Sequence, residues 1–451
     1  MNFTARIESS RFFYAILPVG GITMEPNYKN KKRYNTSKYP IRQPLFFTWL
    51  IALLSRIMLI GKDYRVEKIH MDRLKPPYML LSNHMYFIDF EIAAMGTFPH
   101  RVNNVVSVDG YYRRPWLMEL IGCICKRKFV NDLHLVRAIN KVLKRGDILC
   151  MYPEARYTPI GTTAYLPESL GKLIKMNKVP VVVNIHHGNH LHTPFWNFRK
   201  PRKVPMHMTM TQILTAEDVQ RMSIEEINAA LHEAFRYDEY RYQKENGIKI
   251  TEPYRAEGIH KVLYQCPACG TESRMNSEGA EIFCEVCGKR WELTEEGSLR
   301  ALSGETEFSH VPDWFEWERE NVRREVESGN YRFEDDVDVY SLPRCWRFEH
   351  LGDAKLTHDA ENGFIISGRY REQDWVIQRL PGGMNSLHVE YDYCYLRPED
   401  CIDISTENDS FYCYPQKQNV VTKLGFAVEA AHQLHQARIA EKKAARKAAV
   451  K

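Results

Sequence analysis

The sequence predicts an α/β domain, then a four-cysteine module, then a small mainly-β domain with a C-terminal helix. Three observations carry this. Short apolar runs alternate with helical patterns within residues 63–255. Two C-x-x-C pairs fall within 256–300. Short alternating runs separated by turn sequences fill 345–414, and a helical pattern follows from about 422. The expected division is therefore a basic segment with a membrane-interface helix (1–62), an α/β domain (63–255), the cysteine module (256–300), a linker helix with an accessory β-domain (301–423), and a helix with a basic tail (424–451).

The chain has 451 residues, 44% of them hydrophobic and 26% charged, which excludes a wholly disordered, collagen-like or disulfide-scaffold protein. A mean hydropathy of −0.45 excludes a multi-span membrane protein. The net charge of +5 is uneven. Residues 1–62 hold ten Lys/Arg and two Asp/Glu, 305–344 hold five against twelve, and 436–451 hold six basic residues against Glu441. Basic ends on a nearly neutral body suit an anionic partner, either a membrane surface or nucleic acid, or are solvated tails. The eleven cysteines are odd in number and mostly scattered, which suits a reduced compartment and metal binding rather than disulfides.

Each element has its own justification. Residues 12–22 are apolar after Arg6 and Arg11, but Pro18, Gly20 and Gly21 and the lack of a small-x-small site argue against a signal peptide. Residues 44–60 form the most apolar run, 17 residues interrupted by Thr48, Ser55 and Arg56. That is short for a span and carries a costly central charge. The expectation is a helix lying in the membrane interface, with Trp49 and Arg56 at headgroup depth; a buried core helix is the alternative. Runs at 78–81, 105–108, 148–151 and 179–185 read as buried strands. Over 132–145, Val136, Ile139 and Leu143 share a helix face and Gly146 is a stop. Ser223 and Glu226 make a capping box. Pro312 and Asp313 start a helix over 312–327. Seven short strands followed by a helix are compatible with a pleckstrin-homology-like fold, by analogy alone. Met384, Cys345, Cys394, Cys401 and Cys413 read as packing residues.

The chemistry gathers at strand ends. Asn83-His84 directly follows the run at 78–81, and Asp89 comes five residues after His84. A neutral imidazole can take a proton from a hydroxyl, and a carboxylate on its other nitrogen fixes the tautomer. A spacing of five is poor for contact on a regular helix, so His84 belongs in the turn and Asp89 in the first helical turn. Tyr152-Pro153-Glu154-Ala155-Arg156 follows the next such run. Glu154 and Arg156 could hold an acceptor bearing hydroxyl and phosphate groups. Lys126-Arg127-Lys128 supplies three cations for a phosphate, or a solvated loop. There is no G-x-S-x-G, which argues against an α/β-hydrolase.

These blocks resemble the glycerolipid acyltransferases of the lysophosphatidic acid acyltransferase type. That family is marked by N-H-x4-D, a block ending in a basic residue, F-P-E-G-T-R, and a V-P-V strand. The counterparts are Asn83-His84 with Asp89, Gly122 to Lys128, Tyr152 to Arg156, and Val179-Pro180-Val181-Val182, in order over about 40–235. The third block reads E-A-R, which places Arg156 one residue early, and Arg127 sits beside the basic position at Lys128. The resemblance implies a glycerolipid-acyltransferase-like fold. It also implies direct transfer of a fatty acyl group from acyl-CoA or acyl-carrier protein to a lysophospholipid. His84 would be the general base and Asp89 its support, with Asn83, Arg127, Lys128, Glu154 and Arg156 binding the acceptor. The implied location is peripheral or monotopic, on the cytoplasmic side of a membrane. A non-catalytic membrane-associated adaptor and a thioester hydrolase are the alternatives. The aromatic and basic residues of 195–203 read as a membrane-facing loop.

Cys266-x-x-Cys269-Gly270 and Cys284-x-x-Cys287-Gly288 are separated by fourteen residues. This spacing suits a closed tetrahedral four-thiolate site and resembles a zinc ribbon with structural Zn²⁺, iron in a rubredoxin-like site being the alternative. The intervening segment has one arginine, Arg274, so no nucleic-acid role is expected.

Overall fold

The structure is a computed structural model that describes residues 23–28, 33–393 and 395–449. The expectations for residues 12–22 and for Cys394 lie outside the described residues.

The first layer is a seven-stranded sheet of β1 (Tyr64–Ile69), β2 (Met79–Ser82), β3 (Val102–Ser107), β4 (Ile124–Lys126), β5 (Ile148–Met151), β6 (Val181–His187) and β7 (Met206–Leu214), in the order β1-β7-β6-β2-β5-β3-β4. β2 runs parallel to both β5 and β6, whereas β7 is antiparallel to β6. All four β2 residues are buried, as expected for a strand covered on both faces. Helices Ile88–Thr97, Leu133–Lys144 and Ser169–Asn177 connect the parallel strands. Asp132 caps the second of these, accepting from the amides of His134 and Leu135. Past its end, Gly146 takes φ +85°, where a side chain is strained. Ser223 and Glu226 form a reciprocal capping box on the helix Ile224–Phe235.

Before this sheet stands the helix Leu45–Met58, which is built inside out. Thr48, Ala52 and Ser55 face the protein, while Phe46, Trp49, Leu53, Leu54 and Ile57 are at least half exposed. It is not a core helix. No helix among the described residues is long and apolar enough to cross a membrane.

A four-stranded antiparallel sheet follows, β8 (Met275–Glu278), β9 (Glu281–Cys284), β10 (Arg290–Leu293) and β11 (Leu299–Ala301), in the order β11-β10-β9-β8. After the helix Val311–Glu327 comes a second seven-stranded sheet. It comprises β12 (Arg332–Ser341), β13 (Glu349–Asp359), β14 (Gly363–Tyr370), β15 (Gln373–Arg379), β16 (His388–Glu390), β17 (Cys401–Ser405) and β18 (Ser410–Pro415), in the order β15-β14-β13-β12-β18-β17-β16. This sheet begins earlier than the alternating pattern predicts. In β12, Asp335 and Ser341 are buried beside Val337 and Val339, so acidic and polar letters mask its inward face.

The helix Val421–Ala449 closes the fold, buried up to Ala431 and mostly exposed beyond. It packs on the preceding helix through Phe315 and Phe426, whose ring centroids are 4.7 Å apart. One apolar core runs from Leu191, Phe195 and Trp196 through Trp291 to Trp375 and Phe411, so the accessory sheet is packed onto the first layer. This corrects the reading of 195–203 as a membrane-facing loop. Phe195 and Trp196 are buried, and Arg202 is buried with its guanidinium 5.0 Å from the Trp196 ring.

Candidate functional site

Because β2 lies between β5 and β6, the segments leaving these three strands converge at one end of the sheet. His84 lies in the turn after β2, and Asp89 is the second residue of the helix Ile88–Thr97. His84 Nδ1 and Asp89 Oδ2 are 3.1 Å apart. The same oxygen accepts from the amides of Met85 at 2.6 Å and Tyr86 at 3.1 Å. Oδ1 accepts from Asn189 Nδ2 at 2.7 Å. Asp89 is fully buried, which alone would raise its pKa. The neighbouring His186 and the hydrogen bonds from His84 and Asn189 outweigh burial and hold the carboxyl below its ordinary range. For His84 burial wins, and its pKa lies below the ordinary value despite Asp89. His388 and Lys128 face it and push the same way.

The His84 ring is sandwiched by tyrosines. Tyr152 stacks on it with centroids 3.9 Å apart, and Tyr157 lies at 4.2 Å. Its side chain keeps about a fifth of its exposure. Asn83 uses both ends of its amide on the backbone of His186, accepting from N at 2.8 Å and donating to O at 3.3 Å. Glu154 is buried and accepts from the Ala164 amide at 3.1 Å; burial pushes its carboxyl up to about 7.

The cations at this end are buried, and Lys128 and Arg156 are engaged by carboxylates. Lys128 Nζ sits 2.9 Å from Asp109, 3.5 Å from Asp403 and 3.8 Å from Glu390, the last two from the accessory sheet. Burial opposes its charge, but these carboxylates raise its pKa. Arg156 pairs at 2.8 Å with Glu429 of the C-terminal helix, and Glu429 also meets Arg319 and the Ser386 hydroxyl. Arg127 is buried with Nη1 3.4 Å from the Thr36 hydroxyl. Between the layers, Arg156, Tyr157, Phe195, Tyr391 and Phe426 line a cavity with room for about one water.

Thus the fold brings His84, Asp89, Asn83 and Glu154 to one place, with Lys128 and Arg156 at its margin bound to carboxylates. Sequence reading missed Asn189, His186, Tyr157 and His388, and it named Tyr152 in its block without a role beside His84. A signal existed for the first two, because His186-His187-Gly188-Asn189 leaves the strand that follows Pro180. None existed for His388, which arrives from a separate sheet.

At the other site, Cys266 Sγ lies 3.7 Å from Cys287 Sγ, and Cys269 Sγ lies 3.8 Å from Cys284 Sγ. All four sulfurs are within 4.8 Å of one another and could hold a metal ion. Tetrahedral ligation at the ~2.3 Å of a zinc–thiolate bond sets sulfurs about 3.8 Å apart, so the donor set fits.

The chain matches no protein-family model, and no curated protein matches it. Among solved structures it is similar to the 1-acyl-sn-glycerophosphate (LPA) acyltransferase PlsC from Thermotoga maritima. The two are 14% identical, with 42% of this chain and 77% of that one covered and a TM-score of 0.35. At that score the likeness settles neither fold nor function.

Proposed function

We propose that the chain moves a fatty acyl group from a thioester, acyl-CoA or acyl-carrier protein, to the hydroxyl of lysophosphatidic acid or a related lysophospholipid. The observation that carries this reading is the His84–Asp89 dyad at the sheet end. With Asp89 ionised against Nδ1, the imidazole proton sits on Nδ1 and Nε2 keeps a lone pair. The acceptor hydroxyl gives its proton to Nε2 while its oxygen attacks the thioester carbonyl. The C–S bond breaks, and the imidazolium proton goes to the leaving thiolate, giving an ester and a free thiol. No covalent enzyme intermediate is needed. Cys150, at the end of β5, is a buried thiol pushed up to about 12, so it offers no thiolate at neutral pH. Asn83 braces the site, and Glu154, Arg127, Lys128 and Arg156 are the residues proposed to meet the acceptor, Lys128 and Arg156 by exchanging their present carboxylate partners for its phosphate.

The outward apolar face of the helix Leu45–Met58 supports peripheral or monotopic placement on a membrane, where a lipid acceptor resides; the cytoplasmic side is proposed from the scattered free thiols. The four cysteines would hold structural Zn²⁺ and brace the accessory domain. A second reading, a non-catalytic adaptor, is favoured by the carboxylates on Lys128 and Arg156.

The test is thiol release from long-chain acyl-CoA with and without lysophosphatidic acid, for wild type and His84→Ala. Acceptor-dependent release that is lost in the variant supports acyl transfer. Acceptor-independent release makes the protein a thioester hydrolase. No release from wild type overturns the proposal in favour of the adaptor.

A further inference from the structure

The dyad has a third member that comes from a different strand. An aspartate can rotate about its last side-chain bond, so the aim of a His–Asp pair depends on what holds both oxygens; the Met85 and Tyr86 amides hold Oδ2. The other oxygen of Asp89, Oδ1, is held by Asn189 Nδ2 at 2.7 Å, and both side chains are fully buried. The fold delivers Asn189 by a chain of specific contacts. β2 and β6 pair in parallel with Ser82 opposite Asn184, which brings their ends level. Asn83 then clamps the His186 backbone from both sides. Next, Gly188 turns the chain at φ +81°, where a Cβ would collide with the Pro205 carbonyl oxygen. That turn starts the short helix Asn189–His192 with Asn189 facing Asp89.

The amide orientation is fixed by chemistry. Asn189 Nδ2 also lies 3.3 Å from His186 Nδ1, so one N–H points to the carboxylate and the other to an imidazole nitrogen. Flipping the amide would set its oxygen against Asp89 Oδ1. The other titratable groups around the dyad are Glu91 on the Asp89 helix, Glu154 after β5, Glu239, and Lys128 and His388 beside His84.

We infer that Asn189 is a positioning residue of the dyad, holding Asp89 Oδ1 while the backbone amides hold Oδ2 against His84, so that the imidazole proton stays on Nδ1. Its kinetic consequence rests on the acyl-transfer reading; its geometry does not.

The experiment uses the full chain, labelled with ¹⁵N-histidine. The His84 ring signals, identified by their loss in His84→Ala, should show a protonated Nδ1 and a bare Nε2. In Asn189→Leu, which keeps the volume and removes the donor, they should move toward a tautomer mixture. Activity should then fall by about tenfold to a hundredfold in kcat, the worth of one hydrogen bond to a charged group, with KM unchanged. Asn189→Asp keeps the shape but sets two carboxylates together, which share a proton and move the acid limb of the pH profile upward. This variant carries the test if the leucine variant does not fold. Unchanged histidine signals and an unchanged pH profile in the folded variants would overturn the inference. Altered signals in a protein without transferase activity would uphold it while removing the acyl-transfer reading.

Discussion

Asp89→Asn separates the charge of the dyad from its shape. Asp89 accepts three hydrogen bonds on Oδ2 and one on Oδ1. Asparagine has one acceptor oxygen. Placed at the Oδ2 position, it keeps the Met85 and Tyr86 amides and the His84 Nδ1–H. Its NH₂ then faces Asn189, whose own Oδ1 has no hydrogen-bond partner among the described residues. That amide can flip and accept, with His186 taking its other tautomer. The fold therefore loses little, and melting should stay close to wild type. What is lost is the negative charge under the imidazolium. A hydrogen bond to a charged group is worth about 1.5–3 kcal/mol against about 0.5–1.5 for a neutral pair. The difference of about 1–2 kcal/mol corresponds to roughly a 5- to 30-fold fall in kcat. Asp89→Ala, which removes all four bonds and the tautomer control, should cost far more. Acceptor-dependent thiol release and thermal melting of the three proteins check this. A loss in Asp89→Asn near the ~10⁴ seen when the same change imposes the wrong tautomer in a protease triad would refute the reasoning.

Three further outcomes are expected. Glu91, Glu154 and Glu239 are buried, which pushes their carboxyls up to about 7, about 7 and about 8. The folded state then favours their protonated forms, so their contribution is complete below the ordinary value of 4.5 and is lost as pH rises through 7–8. The melting temperature should be lower at pH 9 than at pH 6. A double change, Phe46→Asp with Leu53→Asp, lies on the exposed face of the first helix and should leave the fold intact. It should weaken sedimentation with anionic vesicles by more than about tenfold, since each buried side chain of this kind contributes roughly 1.5–3 kcal/mol. Elemental analysis should find one zinc per chain. Its removal by a chelator should red-shift tryptophan fluorescence, because Trp291 and Trp314 pack 5.0 Å apart in the core that includes Cys266 and Cys284.

What was legible in the sequence depended on whether a local pattern carried it. Buried parallel strands announce themselves as apolar runs, and β5 falls where its letters place it, at Ile148–Met151. The capping box at Ser223 and Glu226 is likewise a local device. The turn position of His84 followed from helix geometry alone. β12 was hidden because Asp335 and Ser341 occupy buried positions that a hydrophobic count reads as surface. Phe195 and Trp196 were misplaced because aromatic residues beside cations look alike in a lipid headgroup layer and under a buried arginine. Asn189 needed the β2–β6 register, a non-local fact. The carboxylates on Lys128 and Arg156 needed the docking of the accessory domain, since Glu390, Asp403 and Glu429 lie hundreds of residues away from the cations they engage.

The claim that His84 is the base at the acceptor hydroxyl is tested most directly by the pH dependence of acceptor-dependent thiol release. Burial lowers the His84 pKa from the ordinary 6.5, and the neutral imidazole is the reacting form. The rate should be level at neutral pH and fall as pH drops through a midpoint below 6.5, and His84→Ala should lose the rate and the limb together. A limb centred above 6.5, or one that survives in His84→Ala, would contradict the account.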